Sequence, residues 1–331
     1  VLTNASDKQL NYHVRADDWA NCYFKFNAID PSYIITPEGK HWLVYGSWHS
    51  GFAAVELNAT TGKTLAELPK PFGTDSEIAA YGKLIFTRTL NNRWQGAEAP
   101  EVVYRNGYYY LFVAYDALDV PYNTRVLRSR NVDGPYETMD GKVTDAAKGA
   151  NESPAVLTHP YKFSQGSGWV GISHCAVFDD GAGNWFYASQ QRLPANVSGI
   201  NASNAVMMGG VRSIKWLSNG WPVVMPERYG AVPQEQIKES ELVGEWEHID
   251  LAYSYGKQKT AATVTLTADH KAVGAWNNAA WSFNAAAGTL TIGGTELMVQ
   301  REVDWEANPR KVTIVYSGLS GNKSLWGKKK Q

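Results

Sequence analysis

Short runs in which apolar and polar residues alternate, or in which aromatic residues cluster, recur along this chain, most of them bounded by Gly, Asn, Asp or Pro. A period of two puts successive side chains on opposite faces of a strand. The runs His41–Ser47, Tyr108–Tyr115, Asn184–Ser189, Thr263–Leu266 and Lys311–Tyr316 therefore predict antiparallel β-strands. The 3.6-residue period of an amphipathic helix is almost absent. The predicted fold class is all-β.

Three of these runs belong to an internal repeat: NAIDPSYIITPEGKHWLVYGS from Asn27, GAEAPEVVYRNGYYYLFVAY from Gly96 and GISHCAVFDDGAGNWFYASQ from Gly171. Each reads as a polar residue, a short apolar strand, a glycine turn and an aromatic strand. Counting back nine positions from the turn glycines Gly39, Gly107 and Gly183 reaches Asp30, Glu98 and His174. The count places these three at one equivalent position. In a radially repeated β-architecture equivalent positions converge on the axis, so residues far apart in sequence share a site. The spacings of 68 and 76 residues exceed an ordinary blade, which predicts insertions as loops around the mouth.

After Tyr229 the repeat stops. Gly230–Gln236 reads as a connector, and from Glu239 short strands separated by polar turns predict a small closed barrel or sandwich. The Gly244-Glu245-Trp246 triplet resembles the start of lipocalin-like barrels. Two domains are expected, 1–230 and 231–331, each long enough for its own core.

Charge and cysteine content narrow the function classes. Lys and Arg number 31 against 32 Asp and Glu, so no basic field exists for a polyanion, and nucleic acid is not expected as a partner. No apolar run approaches the roughly 20 residues of a membrane-spanning helix, and no membrane association is expected. Cys22 and Cys175 lack metal-ligand spacing and form no framework. Aromatic residues are abundant, with 13 Trp, 18 Tyr and 10 Phe, and flat rings of this kind stack on the apolar faces of sugars.

Two carboxylates at matched repeat positions, each closely followed by Pro, suit acid/base cleavage of a glycosidic bond. Such a reaction needs a proton donor for the leaving oxygen and a second carboxylate. The motifs NAIDP at 27–31, YGSW at 45–48, EAPEVVYRNGYYYLF at 98–112, SHCAVF at 173–178 and GWPVVMPERY at 220–229 together resemble glycoside hydrolase family 43, specifically its endo-arabinanases. The stretch from GEWEHI through SLWGKK is similar to the barrel that two-domain arabinanases append.

The resemblance implies a five-bladed β-propeller, partial in this chain, followed by a lipocalin-like barrel. It implies inverting, endo-acting hydrolysis of α-1,5-L-arabinofuranosidic bonds in arabinan. Glu98 becomes the general acid and Asp30 the carboxylate that tunes and orients it. His174 becomes the axial histidine beside a calcium or sodium ion held mostly by water. Ser47 and Trp48 match positions that contact arabinose, and Tyr115 is expected as a wall of the site. A substrate too large to enter cells implies a secreted or periplasmic enzyme.

One part of the family pattern is absent. The general base expected in a His-Asp-Pro motif of the first blade has no counterpart before Asn27. Three blades of five are legible, and the expectation is a fragment whose base comes from an N-terminal segment or separate chain, with no hydrolysis by this chain alone. An exo-acting arabinofuranosidase or β-xylosidase of the same family is the enzymatic alternative. A non-catalytic carbohydrate-binding propeller is the alternative from another class.

Overall fold

The structure, a computed structural model, describes residues 26–67, 79–90, 94–144 and 148–330. Nearly every regular element among them is a strand, as the alternation predicts. Contacts divide the chain into two compact units. One holds the described residues up to Tyr115 together with Val126–Pro154, and the other holds Asp116–Arg125 and Ala155 onward.

The first unit opens with a four-stranded antiparallel sheet of β1 (Ser32–Ile35), β2 (His41–Tyr45), β3 (Phe52–Leu57) and β4 (Lys83–Phe86), in that order. A second sheet follows from β5 (Ala97–Arg105) and β6 (Tyr108–Tyr115), continued by β7 (Asn123–Ser129), β8 (Tyr136–Glu137) and β9 (Val143–Thr144). The two sheets share one core that includes Val44, Phe52, Phe86, Leu111, Val113 and Tyr115. Each such side chain stabilises the unit by about 1.5–3 kcal/mol through burial alone. A polar link ties the sheets at fixed register. The Ser32 hydroxyl donates to Glu101 Oε2 at 2.9 Å and accepts from the Val102 N–H at 3.0 Å.

In the second unit, short strands β10 (Ala155–Thr158) and β11 (Tyr161–Lys162) precede a third antiparallel sheet. It consists of β12 (Val170–Asp179), β13 (Trp185–Arg192), β14 (Met207–Trp216) and β15 (Pro222–Val224). From Met225 to Lys238, a stretch that includes the predicted connector, the backbone forms no helix or strand. A single-turn helix α1 (Glu239–Leu242) then leads into β16 (Gly244–Asp250), β17 (Lys259–Thr260), β18 (Ala262–Leu266), β19 (Lys271–Gly274), β20 (Ala279–Asn284), β21 (Thr289–Ile292), β22 (Thr295–Asp304), β23 (Lys311–Ser320) and β24 (Lys323–Lys329).

Strands β16 and β18 to β24 pair in succession, and β24 returns to β16, closing an eight-stranded barrel. Closure removes the sheet edges that would otherwise invite pairing with another chain. An eight-stranded barrel encloses just enough space for side chains to fill. Here Trp246, Leu266, Trp281, Leu290, Ile292 and Tyr316 fill it. Trp246, the aromatic residue of the predicted triplet, is fully buried and donates its indole N–H to the Leu242 carbonyl at 2.8 Å, tying α1 to the barrel.

Candidate active site

The three repeats share a backbone device. In the first sheet, Gly46 N–H bonds to Ile29 O while Ser32 pairs with Val44, so one extra residue is inserted at Asp30–Pro31. In β5, Glu98 pairs with Ala114 but Glu101 pairs with Phe112, and in β12, Ser173 pairs with Gln190 but Cys175 with Ser189. Each strand thus carries a bulge, which re-aims side chains locally. The bulge residue is left-handed in all three: Asp30 at φ 55°, Ala99 at 52° and His174 at 54°.

This corrects the repeat count by one residue. Asp30 and His174 are equivalent to Ala99, and Glu98 lies one position earlier. The cause is the hairpin loop, which is Asn106–Gly107 in the second sheet but Thr36–Lys40 and Asp180–Asn184 in the others. The shorter loop moves the turn glycine relative to the bulge. Asp and His tolerate the left-handed region better than most residues, whereas Ala99 pays about 1–2 kcal/mol of steric strain there.

Glu98 is 8% exposed, on the rim of this bulge. Its Oε2 accepts the indole N–H of Trp48 at 2.8 Å and the hydroxyl of Ser47 at 3.1 Å. Asp30 Oδ2 accepts the N–H of Ala99, the residue after Glu98, at 3.1 Å. The first sheet therefore grips Glu98 twice by its carboxylate and once by its neighbouring peptide.

Ser47 and Trp48 are presented by the turn Gly46–Gly51, where both glycines are required. Gly46 has φ 140° and Gly51 φ 91°, and a Cβ would lie 2.5 Å from Gly51 O or 2.0 Å from Phe86 O respectively. The Asn27 side-chain amide donates to the Ser47 carbonyl at 3.0 Å and Trp48 N–H to Ala97 O at 2.8 Å. The turn that carries the donors aimed at Glu98 is thus preorganised by a backbone hydrogen bond and by the Asn27 amide.

Tyr115 departs from its expected role as a wall. It is fully buried, with the Arg88 guanidinium 4.2 Å over its ring, Phe86 at 6.3 Å between centroids, and its hydroxyl donating to Asn151 O at 2.9 Å. A ring enclosed in this way supports the strand pair beneath Glu98 and offers no face to a sugar.

His174 belongs to the second unit and is exposed there, with Nδ1 3.3 Å from the Tyr122 hydroxyl. Beneath it, Ser173, Thr124 and Tyr187 share hydroxyl contacts of 2.8 and 2.7 Å. Among the described residues, one group of three carboxylates converges without His174: Glu227, Asp304 and Glu306. Sequence reasoning missed it because its members come from two segments far apart in sequence, Glu227 and the pair Asp304 and Glu306. The ammonium of Lys328 fills its centre, 3.0 Å from Glu227, 3.0 Å from Asp304 and 2.9 Å from Glu306. That lysine neutralises the charge a cation would otherwise meet, so the trio is a poorer ion site than its acidity suggests. Burial nonetheless pushes Glu227 up to about 7, against the opposing pull of Lys328.

Glu98 is thus a buried carboxyl on a bulged strand, gripped through one oxygen by residues of the neighbouring sheet. The sequence pattern of glycosyl hydrolases family 43 matches residues 12–222, and that of the C-terminal lipocalin-like domain of this family matches residues 226–327. The chain belongs to glycosyl hydrolase family 43.

It is 28% identical over 327 residues to an extracellular endo-α-(1→5)-L-arabinanase of Thermotoga petrophila, covering 91% of this chain and 64% of that protein. It is 26% identical over 328 residues to extracellular endo-α-(1→5)-L-arabinanase 2 of Bacillus subtilis, covering 92% and 64%. The crystal structure of the endo-1,5-α-L-arabinanase from Thermotoga petrophila RKU-1 superposes with a TM-score of 0.76 at 25% identity, over 97% of this chain and 72% of that one. The chain spans just under two thirds of the length of the curated relatives it matches. Among the described residues no helix is long and apolar enough to cross a membrane, which says nothing of strands.

Proposed function

We propose that this chain forms the larger part of an inverting, endo-acting glycoside hydrolase that cleaves α-1,5-L-arabinofuranosidic bonds in arabinan, with Glu98 as general acid. The observation that carries this reading is the double grip on Glu98 Oε2 by Trp48 and Ser47. Two donors on one oxygen fix the orientation of the carboxyl, and in this reading the proton for the leaving group starts from Glu98. From there it passes to the glycosidic oxygen as the bond to the anomeric carbon breaks. Asp30, bonded to the Ala99 peptide, holds the bulge that orients Glu98. Ser47 and Trp48 bind at the same place, Trp48 lending its ring to the sugar as well as its N–H to the acid. Tyr115 supports this arrangement from below.

Inversion also needs a carboxylate base about 6.5–9.5 Å from the acid, with water between them. The base is supplied by a further segment or chain carrying the upstream blades, a reading supported by the greater length of the relatives. His174 would sit beside a calcium or sodium ion bound mostly by water, which would supply positive charge there. Residues 1–230 form the catalytic propeller part and 231–331 the accessory barrel, a division supported by the strand-free run after Val224 and by the two matched patterns meeting there. The extracellular relatives support a secreted or periplasmic location.

Product analysis on linear arabinan tests this reading in the protein carrying the upstream blades. Oligosaccharides appearing first are expected. Arabinose alone would indicate exo-action, and binding without release of reducing sugar would indicate a non-catalytic propeller.

A further inference from the structure

Trp94 lies in the first unit, outside the repeat and outside the set of residues that grip Glu98. Its backbone is fixed on both sides. A β-bridge pairs it with His49, and the next residue, Gln95, donates its N–H to Trp48 O at 2.6 Å. The Gln95 side chain locks the same strand. Its Oε1 accepts the N–H groups of Arg88 and Thr89 at 2.7 and 2.9 Å, while Nε2 donates to Thr89 O at 3.0 Å.

The ring is placed as firmly as the backbone. The indoles of Trp48 and Trp94 are 4.9 Å apart and inclined by 49°, and the His49 ring is 5.3 Å from Trp94. Trp48 in turn reaches Glu98 through its indole N–H. Exposure rises along this line, from Glu98 at 8% through half-buried Trp48 to Trp94 at 38%. A large apolar ring left this exposed, yet rigidly held, is the kind of surface on which the C–H face of a sugar stacks without an ordering cost.

We propose that Trp94 is a stacking platform for the arabinofuranose unit next to the one engaged at Glu98, and thereby makes binding depend on chain length. This rests on the reading of Glu98 as the acid. A unit whose glycosidic oxygen meets Glu98 lies against Trp48, and the adjoining unit reaches the second indole. The inclination between the rings suits a chain whose successive sugars are themselves inclined.

Calorimetric titration of the 331-residue chain with linear α-1,5-arabino-oligosaccharides of increasing length provides the test, comparing wild type with Trp94→Ala, Trp94→Phe and Trp94→Leu. Leu keeps apolar bulk against His49 and Trp48 but removes the ring, so it separates stacking from packing should the Ala variant fold poorly. Affinity is expected to rise with length in wild type and in Trp94→Phe. In Trp94→Leu and Trp94→Ala it should fall about tenfold for the longer ligands, with little change for the disaccharide. A loss equal at every length, or none, overturns the assignment to Trp94 and leaves the role of Glu98 standing. A wild-type chain that binds no oligosaccharide at any length overturns the platform, while the acid role of Glu98, which needs the upstream blades, stands or falls on hydrolysis.

Discussion

In the proposed reaction the Glu98 carboxyl must be aimed at the leaving oxygen, and the Trp48 N–H is one of two donors that hold its Oε2. Trp48→Phe keeps an aromatic side chain at this position, where φ is 60°, but deletes the N–H that Oε2 accepts. Hydrolysis of arabinan by the protein carrying the upstream blades is expected to fall about tenfold or more, with the thermal midpoint within a few degrees of wild type. Unchanged turnover would show that the Ser47 hydroxyl alone orients the carboxyl. Both carboxylates of the candidate site stand out in the sequence as acidic residues at the head of apolar strands. Their relative register is not legible there. A gapless count cannot see that one hairpin is closed by Asn106–Gly107 and the others by longer loops, nor that Ala99 takes the left-handed position held elsewhere by Asp and His. Tyr115 misled for a related reason: alternation says that a strand residue faces one side, but not whether Arg88 and Phe86 already cover it.

Among the elements, β24 is the most constrained, because its Lys328 is 3% exposed among three carboxylates. Three carboxyl groups face one ammonium, and Glu306 and Glu227 are both raised by burial. Glu227, which also faces Asp304 and the Tyr161 ring region, retains its proton in the folded state to about pH 7 rather than 4.5. Its contribution to stability is therefore fully present below about pH 4.5 and is lost as pH rises through about 7. Thermal midpoints of the wild-type chain should fall as pH rises across this window, and Glu227→Gln should flatten the slope. Equal slopes in the two proteins would assign the dependence elsewhere. The strands themselves were readable from period-two alternation, and Tyr108–Tyr115 is a strand over its whole predicted length. Lys328 was not readable as a core residue: a basic run at the end of a chain normally faces water, and only barrel closure turns this one inward.

On the scale of the whole molecule, composition and repeat established an all-β chain with a barrel after the last blade, and both are present. What alternation alone does not encode is that the third sheet and the barrel cluster as one compact unit, because the contacts joining them are between residues distant in sequence, such as Glu227 and Lys328. The central claim, that Glu98 delivers the proton to the leaving oxygen, separates cleanly from any general loss of structure by varying the leaving group. Rates of the protein carrying the upstream blades and of its Glu98→Gln variant should be compared on linear arabinan and on a dinitrophenyl glycoside of an arabino-oligosaccharide, whose phenolate departs without protonation. The account predicts a loss of about 10²- to 10⁴-fold on arabinan and a far smaller one on the dinitrophenyl glycoside. Equal losses on both substrates, or full activity on arabinan, would contradict it.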